Sequence, residues 1–329
     1  MILPSPRILF TSTRATTFIN EDLLILRKHF EVEELIDHGI SAFFRILQRV
    51  SSVDITFTWF ASVYSFAAAV AAALMRRRSV IVIGGVDVSR HPDIGYGLWL
   101  SRWKGVLAGY ALRHADRVLA VDPALGKEAM RLARYDGHNV RWVPTGYDSA
   151  FWVPGGSKTA LVLTVAACWD ETRLRAKGVD FLCQAARAMP SVRFTLIGIA
   201  PVIHEMVRSM APDNLEILPP IPREELLRYY QRSKVYCQPS YTEAFPNSLC
   251  EAMLCECVPV GTRVGGIPTA IGEGGFLVPF GDVDALAAGL RSALDGGRGA
   301  GTRARQQIAR NFTLHRREQE LVQIIQELQ

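Results

Sequence analysis

The sequence predicts an α/β protein made of two doubly wound parallel sheets, and three observations support this prediction. Its 329 residues are too many for one ordinary domain and enough for two hydrophobic cores. Short apolar runs alternate with longer helical stretches along the chain, as in strands joined by crossover helices. The segment Gly146–Lys158, rich in Gly, Pro, Ser and Asp, divides this alternation into halves and is the predicted linker.

The first half contains five apolar runs that predict five strands. They are Arg7–Thr11, Val53–Thr58, Val80–Gly84, Arg117–Val121 and Val140–Pro144. The stretches between them, such as Asn20–Phe30 and Leu98–His114, are long enough to be crossover helices. Strands that alternate with helices in this way predict a parallel sheet.

One apolar segment, Trp59–Met75, is similar to a membrane span because Arg76, Arg77 and Arg78 follow it. It is shorter than the roughly 20 residues that a spanning helix requires. It is also rich in Ala rather than Leu and lies between two strand-like runs. We therefore predict a buried helix packed on a sheet.

The second half repeats the alternation. Its predicted strands are Ala160–Ala166, Val192–Ile197, Leu215–Leu218, Val235–Gln238, Val258–Gly261 and Gly275–Val278. Its predicted helices are Gly178–Met189, Glu224–Ser233, Leu249–Cys255 and Ala285–Leu294. A Gly/Arg-rich stretch and a final helix to Gln329 follow, with Asn311 and Thr313 as expected caps. Open α/β sheets bind ligands beyond the carboxyl ends of their strands, so functional residues are expected in the loops there.

The composition is that of a packed globular protein, with 49% hydrophobic and 21% charged residues. A net charge of +5 favours anionic ligands, but it is too dispersed to predict nucleic-acid binding. The six cysteines lack CxxC pairs, and no signal-peptide pattern opens the sequence. We therefore expect reduced thiols and a cytoplasmic location.

Two glutamates eight residues apart stand out in the segment SYTEAFPNSLCEAM. Glu243 lies in the loop after a predicted strand, and Glu251 lies about one turn into the following helix. The N–H groups at the start of that helix suit a diphosphate. These groups belong to Asn247, Ser248 and Leu249. Glu251 is placed to accept hydrogen bonds from a ribose diol, and Glu243 to reach a sugar ring or the reacting face. The alternative is that both are ordinary helix-surface and helix-start residues.

This segment resembles the E-x7-E element of family 4 of the glycosyltransferases, which often reads E-[GA]-F-P-N-x-x-x-E-A-M. The resemblance continues through PREELLRYYQRSKVYCQPS before it and through VPVGTRVGGIPTAI and GGFLVPFGDVDALAAGL after it. It covers Ala160–Leu294, whereas the first half resembles the family only in its order of strands and helices. The match is long and ordered, which favours the functional interpretation of the two glutamates.

The resemblance implies a GT-B fold, in which two Rossmann-like domains face a central cleft and a C-terminal helix crosses back to the N-terminal domain. The expected N-terminal, acceptor-side domain is residues 1–150 with the helix 311–329, and the expected nucleotide-sugar-binding domain is residues 151–310. It further implies a retaining, metal-independent hexosyl transfer from a nucleoside-diphosphate sugar. No cofactor is expected beyond this donor.

The resemblance also assigns a basic pair to the donor diphosphate. Lys177 in RLRAKGVD matches the family's lysine before glycine, and Arg173 is its expected partner, with Arg175 as the alternative. A cation at the carboxyl end of a strand is where phosphate is expected to lie. The further residues expected in the donor site are Phe245, Gly198 and Ile221.

One departure from the family pattern lies in the second half, where Thr269 follows GGIP in place of the family's frequent Glu, and two lie in the first half. The family's glycine-rich turn is replaced by TSTRATTF, where hydroxyls of Ser12, Thr13 and Thr16 or the Arg14 cation could substitute, or the loop could be an ordinary polar turn. The family's sugar-contacting histidine is replaced by GGVDV. Asp87 could bind a sugar hydroxyl there or form a turn, and His91 is a weaker candidate.

Two metal-like patterns are set aside. Asp282 and Asp284 form D-x-D but precede a predicted helix, so we expect them to act as its caps. Cys255 and Cys257 have no nearby second pair of ligands, so a zinc site is not expected there.

The expected partners are the nucleotide-sugar donor and a saccharide, lipid or small-molecule acceptor, without nucleic acid. The alternative functions are other GT-B chemistry, namely disaccharide phosphorolysis or nucleotide-sugar epimerisation, and non-catalytic nucleotide-sugar binding. Peripheral contact with an anionic membrane is a further hypothesis, with a solvated basic face as its alternative. It rests on Arg76–Arg78, Trp99, Arg102, Trp103 and Lys104.

Overall fold

The computed structural model describes residues 5–329 and has an α/β fold with two six-stranded sheets. The chain folds into two compact units. The first unit comprises residues 1–146 and 314–329, and the second comprises residues 147–313. The chain passes from one unit to the other within the predicted linker segment.

The first unit contains a sheet whose strand order is β2-β1-β3-β4-β5-β6, with every neighbouring pair parallel. The strands are β1 (Arg7–Ser12), β2 (Glu31–Ile36), β3 (Ile55–Trp59), β4 (Arg78–Ile83), β5 (Arg117–Ala120) and β6 (Val140–Trp142). The helices between them are α1 (Thr17–His29), α2 (Ile40–Arg49), α3 (Val63–Leu74), α4 (Arg102–His114) and α5 (Pro123–Ala133). The central strands are buried on both faces, which explains their continuous apolar runs.

The strand β2 was not predicted because its sequence, EVEELI, is acidic. It lies at the edge of the sheet and is half exposed, so its glutamates reach solvent and basic neighbours. Glu33 pairs with Arg49 at 3.1 Å, and Glu34 pairs with Arg27 at 2.6 Å. Edge strands tolerate such charges, and this one lacks the apolar pattern by which the others were found.

The apolar segment Trp59–Met75 forms the end of β3 and the helix α3. Ser62 caps α3 with its side chain, and the face of the helix that carries Ala67, Ala68, Ala71 and Ala72 is buried. The prediction of a helix packed on the sheet is confirmed. Across residues 5–329, no helix has the length and apolar character needed to span a bilayer.

The second unit contains a sheet of order β12-β11-β10-β7-β8-β9, again parallel throughout. Its strands are β7 (Thr159–Cys168), β8 (Arg193–Ile199), β9 (Leu215–Leu218), β10 (Ser233–Gln238), β11 (Val258–Thr262) and β12 (Phe276–Val278). Its helices are α6 (Glu171–Ala176), α7 (Val179–Arg187), α8 (Pro201–Met210), α9 (Arg223–Arg232), α10 (Asn247–Leu254), α11 (Ile267–Ile271), α12 (Val283–Asp295) and α13 (Arg298–Asn311). All six strands predicted for this half are present.

The C-terminal part differs from its prediction. The Gly/Arg-rich stretch is the helix α13, and the last helix, α14 (Leu314–Glu327), is separate from it. Asn311 is therefore the last residue of α13 and not a cap of α14, whereas Thr313 directly precedes α14.

In the first unit, the helix α4 is shorter than the predicted helix Leu98–His114. It begins at Arg102, and Leu98–Leu100 form a separate 3-10 turn.

The helix α14 belongs to the first unit and is joined to it by a buried ion pair. Both nitrogens Nε and Nη2 of Arg317 donate to the carboxylate of Asp22 on α1, at 2.9 and 2.6 Å. Trp59 Nε1 donates to the same carboxylate at 3.1 Å, and Arg317 Nη1 donates to the carbonyl of Val143 at 2.5 Å. All of these side chains are almost completely buried, so each charge depends on its partners.

Candidate active site

Several predicted residues meet at the carboxyl edge of the second sheet. The strands β7, β10 and β11 end there at Cys168, Gln238 and Thr262, and the loops that follow them pack together. Lys177 follows α6 in the first loop, and Glu243 lies in the second. Parallel sheets bind their ligands at this edge.

Lys177 and Glu243 form an ion pair, with Nζ 2.6 Å from Oε2. Their side chains are only 22% and 11% exposed. The backbone brings them together, because the N–H groups of Tyr241 and Thr242 both donate to the carbonyl of Ala176, at 3.0 and 3.3 Å. These two hydrogen bonds therefore join the two loops beside the ion pair.

Gly178 permits this approach of the two loops. Its φ of +65° lies in the left-handed region, and a Cβ there would lie 1.9 Å from the carbonyl oxygen of Pro239. Any side chain would push the loop of Lys177 away from the loop of Glu243. In the Lys-Gly sequence, the lysine therefore supplies the charge and the glycine supplies the space that the two loops need.

Three side chains position Glu243. Oε2 accepts hydrogen bonds from Gln238 Nε2 at 3.2 Å and from Ser240 Oγ at 3.4 Å, in addition to Lys177. Gln238 Nε2 also donates to Ser240 Oγ at 2.8 Å. Thr262 Oγ1 fixes the loop itself, by donating to the carbonyl of Ser240 at 2.6 Å. All the described hydrogen bonds of the Glu243 carboxylate thus converge on one oxygen.

A pair of glycines supports the Glu243 loop from β11. A Cβ at Gly265 would lie 1.7 Å from the carbonyl oxygen of Glu243, and a Cβ at Gly266 would lie 2.2 Å from that of Ala244. The Gly266 N–H donates to the latter oxygen at 2.9 Å. The GGIP sequence therefore serves to place the glutamate.

The helix α10 begins directly after this loop, with Pro246 as its N-cap. Cys250 makes the first helical hydrogen bond, to Pro246, so the N–H groups of Asn247, Ser248 and Leu249 are the ones that a helix start leaves without intrahelical partners. Tyr147 Oη donates to Asn247 Oδ1 at 2.7 Å, and Phe245 is buried. The three residues predicted to start this helix are therefore its first three residues, and Tyr147 holds the side chain of the first one.

Glu251 lies on α10 and receives a hydrogen bond from the phenol of Tyr230 on α9, at 3.2 Å to Oε2. Burial raises the pKa of Glu251 to about 7, against the opposing effects of the Tyr230 hydrogen bond and of the Arg223 cation. Burial also raises the pKa of Tyr230 well above its usual value, so this phenol is a donor at neutral pH. As with Glu243, the described hydrogen bond uses one carboxylate oxygen.

The two candidate arginine partners of Lys177 lie on α6. The guanidinium of Arg173 stacks on the ring of Trp169, with Cζ 4.0 Å from the ring centroid. Arg175 is half exposed and pairs with Glu171 at 2.5 Å, one helical turn away. Arg173 stays our prediction for the diphosphate partner, and Arg175 stays the alternative.

Gly198 lies in a strand and Ile221 lies in a loop, and both were predicted to be in the donor site. Gly198 lies near the end of β8 with a φ of +109°, and a Cβ there would lie 2.6 Å from the carbonyl oxygen of Ala166 on β7. Its glycine identity is therefore explained by the packing of the chain itself. Ile221 is half-buried in the loop before α9, close in sequence to Arg223.

Asp87, for which the sequence left a sugar contact and a turn as alternatives, is bound by backbone N–H groups of the first unit. Its carboxylate is buried and accepts hydrogen bonds from the N–H groups of Ala61, Gly84 and Gly85 at 2.7 to 3.3 Å. Burial raises the pKa of Asp87 to about 6, although these hydrogen bonds act in the opposite direction. Both oxygens are used by the chain, which matches the turn-forming alternative.

Other candidates in the first unit are also used locally. Ser12 Oγ donates to the carbonyl of Arg14 at 2.9 Å in a tight turn, and the Arg14 guanidinium lies 5.3 Å from the ring centroid of Phe60. His91 forms an isolated bridge with Tyr96. These contacts fit the polar-turn interpretation of this loop.

The two metal-like patterns have local explanations. Asp282 Oδ1 accepts from the N–H of Ala285 at 2.9 Å and so caps α12, as predicted. All six cysteines are free and buried, and Cys257 Sγ lies 3.5 Å from Lys158 Nζ. Within residues 5–329, no group of three or more His, Cys, Asp or Glu residues is arranged to hold a metal ion.

Sequence reasoning missed Gln238, Ser240, Thr262 and Tyr230. Gln238 and Ser240 lie just before Glu243, and polar residues at the end of a buried strand were an available signal. Tyr230 lies 21 residues before Glu251, on a different helix, and no sequence signal connects the two.

Residues 161–296 match the family model described as "Glycosyl transferases group 1". Among curated proteins, the chain is similar to the D-inositol 3-phosphate glycosyltransferase of Nocardiopsis dassonvillei, with 30% identity over 207 residues that cover 54% of this chain and 48% of the relative. The enzyme of the same name from Mycobacterium sp. (strain KMS) is 30% identical over 221 residues, which cover 60% and 49%. The chain thus spans about half the length of these relatives.

The fold is shared with solved structures over nearly the whole chain. Sucrose-phosphate synthase from Thermosynechococcus elongatus superposes with a TM-score of 0.78 at 17% identity, covering 98% of both chains. HepE from Anabaena in complex with UDP-glucose gives a TM-score of 0.76 at 16% identity, covering 98% of this chain and 100% of that one. The chain therefore has the GT-B fold, and its second unit contains the segment that matches the model of the group 1 glycosyl transferases.

Proposed function

We propose that the protein transfers a hexosyl group from a nucleoside-diphosphate sugar to an acceptor, with retention of the anomeric configuration and without a metal ion. The observation that carries this proposal is the Lys177–Glu243 pair, held at 2.6 Å beside the start of α10 within the group 1 segment. This site combines the Lys177 cation, the Glu243 carboxylate and the N–H groups at the start of α10, all at the edge of a parallel sheet where ligands bind.

The diphosphate is assigned to Lys177, Arg173 and the first turn of α10. Lys177 is partly buried and already oriented by Glu243, so little reorganisation is needed when a phosphate arrives. The N–H groups at the helix start add a second source of positive potential. As the bond to the sugar breaks, negative charge builds on the diphosphate, and fixed cations and N–H groups stabilise that charge.

The ribose is assigned to Glu251, whose ionised form can accept hydrogen bonds from both hydroxyls of a diol. Tyr230 holds one oxygen of this carboxylate at 3.2 Å and so fixes its orientation. Because burial raises the pKa of Glu251 to about 7, ribose binding favours loss of a proton from this group near neutral pH. Donor binding is therefore expected to be coupled to proton release.

The sugar is assigned to Glu243, and the acceptor is assigned to the first unit. For a retaining transfer, the acceptor hydroxyl attacks the anomeric carbon from the face that the diphosphate leaves, and a phosphate oxygen takes the hydroxyl proton. The diphosphate held by Lys177 then acts as both leaving group and base. Proton NMR of the first product tests this step, and an inverted anomer would exclude it.

The experiment that tests the function is diphosphate release from a panel of UDP-, GDP- and ADP-sugars in the presence of EDTA. UDP-sugars come first, because HepE was solved with UDP-glucose and shares this fold. Lys177→Met and Glu243→Gln are compared with Lys234→Met, a lysine at the opposite end of β10. Turnover of one donor, lost in the first two variants and kept in the third, supports the proposal.

Other outcomes of the same panel point to the alternatives. Turnover that requires inorganic phosphate as acceptor would indicate a phosphorylase, and conversion of the sugar without release of diphosphate would indicate an epimerase. Donor binding by calorimetry without turnover would indicate a non-catalytic binding protein. Turnover that EDTA abolishes would contradict metal independence.

A further inference from the structure

One face of the first sheet is covered by three helices without a single acidic residue. The helix α3 packs on β3 and β4, with α2 on one flank and α4 on the other. None of the three contains Asp or Glu. By contrast, α1 and α14, which pack on each other, carry acidic residues such as Glu21, Glu318 and Glu320. The absence of acid on α2–α4 is therefore a local property of this face.

These helices also expose large apolar side chains. Ile40 on α2 is 79% exposed, Leu74 on α3 is 80% exposed, and Val106 on α4 is 67% exposed. Phe44 and Trp103 are exposed by more than half as well. Single exposed apolar residues are common, but five on three adjacent helices need an explanation. We name the outer side of these helices the α2–α4 face.

Aromatic contacts connect the exposed residues of α3 and α4. Tyr110 lies one turn after Val106 and packs edge-on against Phe66 of α3, with ring centroids 5.3 Å apart. It also stacks on His114 at 4.0 Å. His114 in turn lines a surface cavity together with Ala73 and Arg76 at the end of α3. These ring contacts connect α3 to α4, and the cavity at their ends is lined by Arg76, Arg77 and Arg78 together with Asp54 and Asp116.

Cations border this surface. Arg76, Arg102 and Lys104 are exposed, and within residues 5–329 none of the three forms an ion pair with a carboxylate. Lys104 Nζ lies 5.6 Å from the ring centroid of Trp103. Arg77 and Arg78, in contrast, are paired with Asp54 and Asp116. The first three cations are available to an external anion.

We propose that the α2–α4 face is a docking surface for an anionic lipid bilayer. Apolar side chains can enter the acyl boundary, Trp103 suits the headgroup level, and Arg76, Arg102 and Lys104 meet anionic headgroups. Charge complementarity selects this occupant, since the three helices carry cations and no acids of their own, and Arg76, Arg102 and Lys104 would repel a basic partner or a second copy of this face. The inference is independent of the proposed donor site, which lies in the second unit.

The test is sedimentation of the full chain with sonicated vesicles. Pure phosphatidylcholine is compared with vesicles that contain about 30% phosphatidylglycerol, at low salt and at about 0.5 M NaCl. We expect the protein to pellet with the anionic vesicles at low salt and to be released by salt. Equal recovery with neutral vesicles, or no pelleting at low salt, would overturn the proposal.

Two variants and a control locate the surface. Arg102→Gln/Lys104→Gln and Leu74→Ser/Val106→Ser should each lower partitioning about tenfold or more. Val202→Ser on α8, which removes an equally exposed apolar residue of the second unit, should leave it unchanged. Diphosphate release by the variants without vesicles should match wild type, which separates this proposal from that of the donor site. Variants that pellet like wild type, or a salt-stable dimer that only the wild type forms, would contradict membrane docking.

Discussion

Two carboxylates of the first unit, Asp22 and Asp87, use their oxygens differently from two carboxylates of the second unit, Glu243 and Glu251. In the first unit, both oxygens of Asp22 are occupied by Arg317, and both oxygens of Asp87 are occupied by backbone N–H groups. In the second unit, the described hydrogen bonds of Glu243 and of Glu251 all reach one oxygen, Oε2. Glu243 and Glu251 are each oriented through one oxygen, and our proposal gives the other oxygen to the donor. A carboxylate held by both oxygens stabilises the fold.

The largest expected effect is on the stability of the first unit. Arg317→Met leaves the Asp22 carboxylate buried beside Trp59 without its cation, which should cost about 3 to 5 kcal/mol of unfolding free energy. Chemical denaturation followed by tryptophan fluorescence measures this loss. Arg131→Ala, which removes an exposed pair with Glu128, should cost less than about 1 kcal/mol. Equal losses in the two variants would contradict the structural role of the Asp22 pair.

The corresponding change in the second unit should affect catalysis. Lys177→Met removes the fixed cation from the proposed diphosphate site and should lower kcat about 10²- to 10³-fold. Steady-state diphosphate release measures the effect, with Lys234→Met as the matched control. If kcat stayed within a factor of about three of wild type, Lys177 would have no role in the transition state.

Asp87 provides the sharpest contrast between the two kinds of carboxylate. Asp87→Asn replaces one acceptor oxygen by an amide, so N–H groups of Ala61, Gly84 or Gly85 lose a partner. We expect a loss of about 1 to 3 kcal/mol in unfolding free energy and an unchanged KM for the donor. A raised donor KM with unchanged stability would instead support the sugar contact predicted from the sequence.

The pH dependence of donor binding should report Glu251. With a pKa of about 7, this group is mostly protonated at pH 6 and mostly ionised at pH 8. Because the proposed ribose contact requires the ionised form, donor affinity should be about tenfold higher at pH 8 than at pH 6. Isothermal titration calorimetry at both pH values measures this, and Glu251→Gln should remove the difference. A wild-type affinity that is flat with pH would refute the assignment.

The same raised pKa affects stability without donor. The folded protein binds the Glu251 proton more tightly than the unfolded chain does, so folding is favoured at low pH by this group. Its contribution is present below the ordinary pKa of 4.5 and is lost as the pH rises to about 7. Glu251→Gln should therefore flatten the dependence of unfolding free energy on pH in this window.

The smallest effect is expected from a positioning residue. Gln238→Ala removes one hydrogen bond to Glu243 Oε2 and leaves Lys177 and Ser240 in place. A neutral hydrogen bond contributes about 0.5 to 1.5 kcal/mol, so kcat should fall about 2- to 10-fold with little change in KM. A change in KM alone would mean that Gln238 contacts the donor directly.

The sequence predicted the second unit well because its strands are buried and its motif is compact. Lys177 and Glu243 are 66 residues apart, yet both follow strands of one parallel sheet, which brings them to the same edge. Tyr230, in contrast, reaches Glu251 through the packing of two helices, and helix packing has no local sequence signal.

Other elements were harder to predict for related reasons. The strand β2 is acidic because it lies at an edge, and α13 was missed because glycine and arginine dominate its sequence. Asp87 next to paired glycines is compatible with a ligand contact or with a turn, and only the positions of the surrounding N–H groups decide between them. Sequence spacing places a carboxylate in a loop but does not show which way its oxygens point.

The most direct test of the account is a crystal structure of the protein with the nucleoside diphosphate that the donor panel selects. We predict that the diphosphate lies within hydrogen-bonding distance of Lys177 Nζ and the N–H groups at the start of α10, with both ribose hydroxyls on the carboxylate of Glu251. Asp87 should keep its backbone hydrogen bonds unchanged. A nucleotide bound elsewhere, with the Lys177–Glu243 pair untouched, would contradict the assignment of this site.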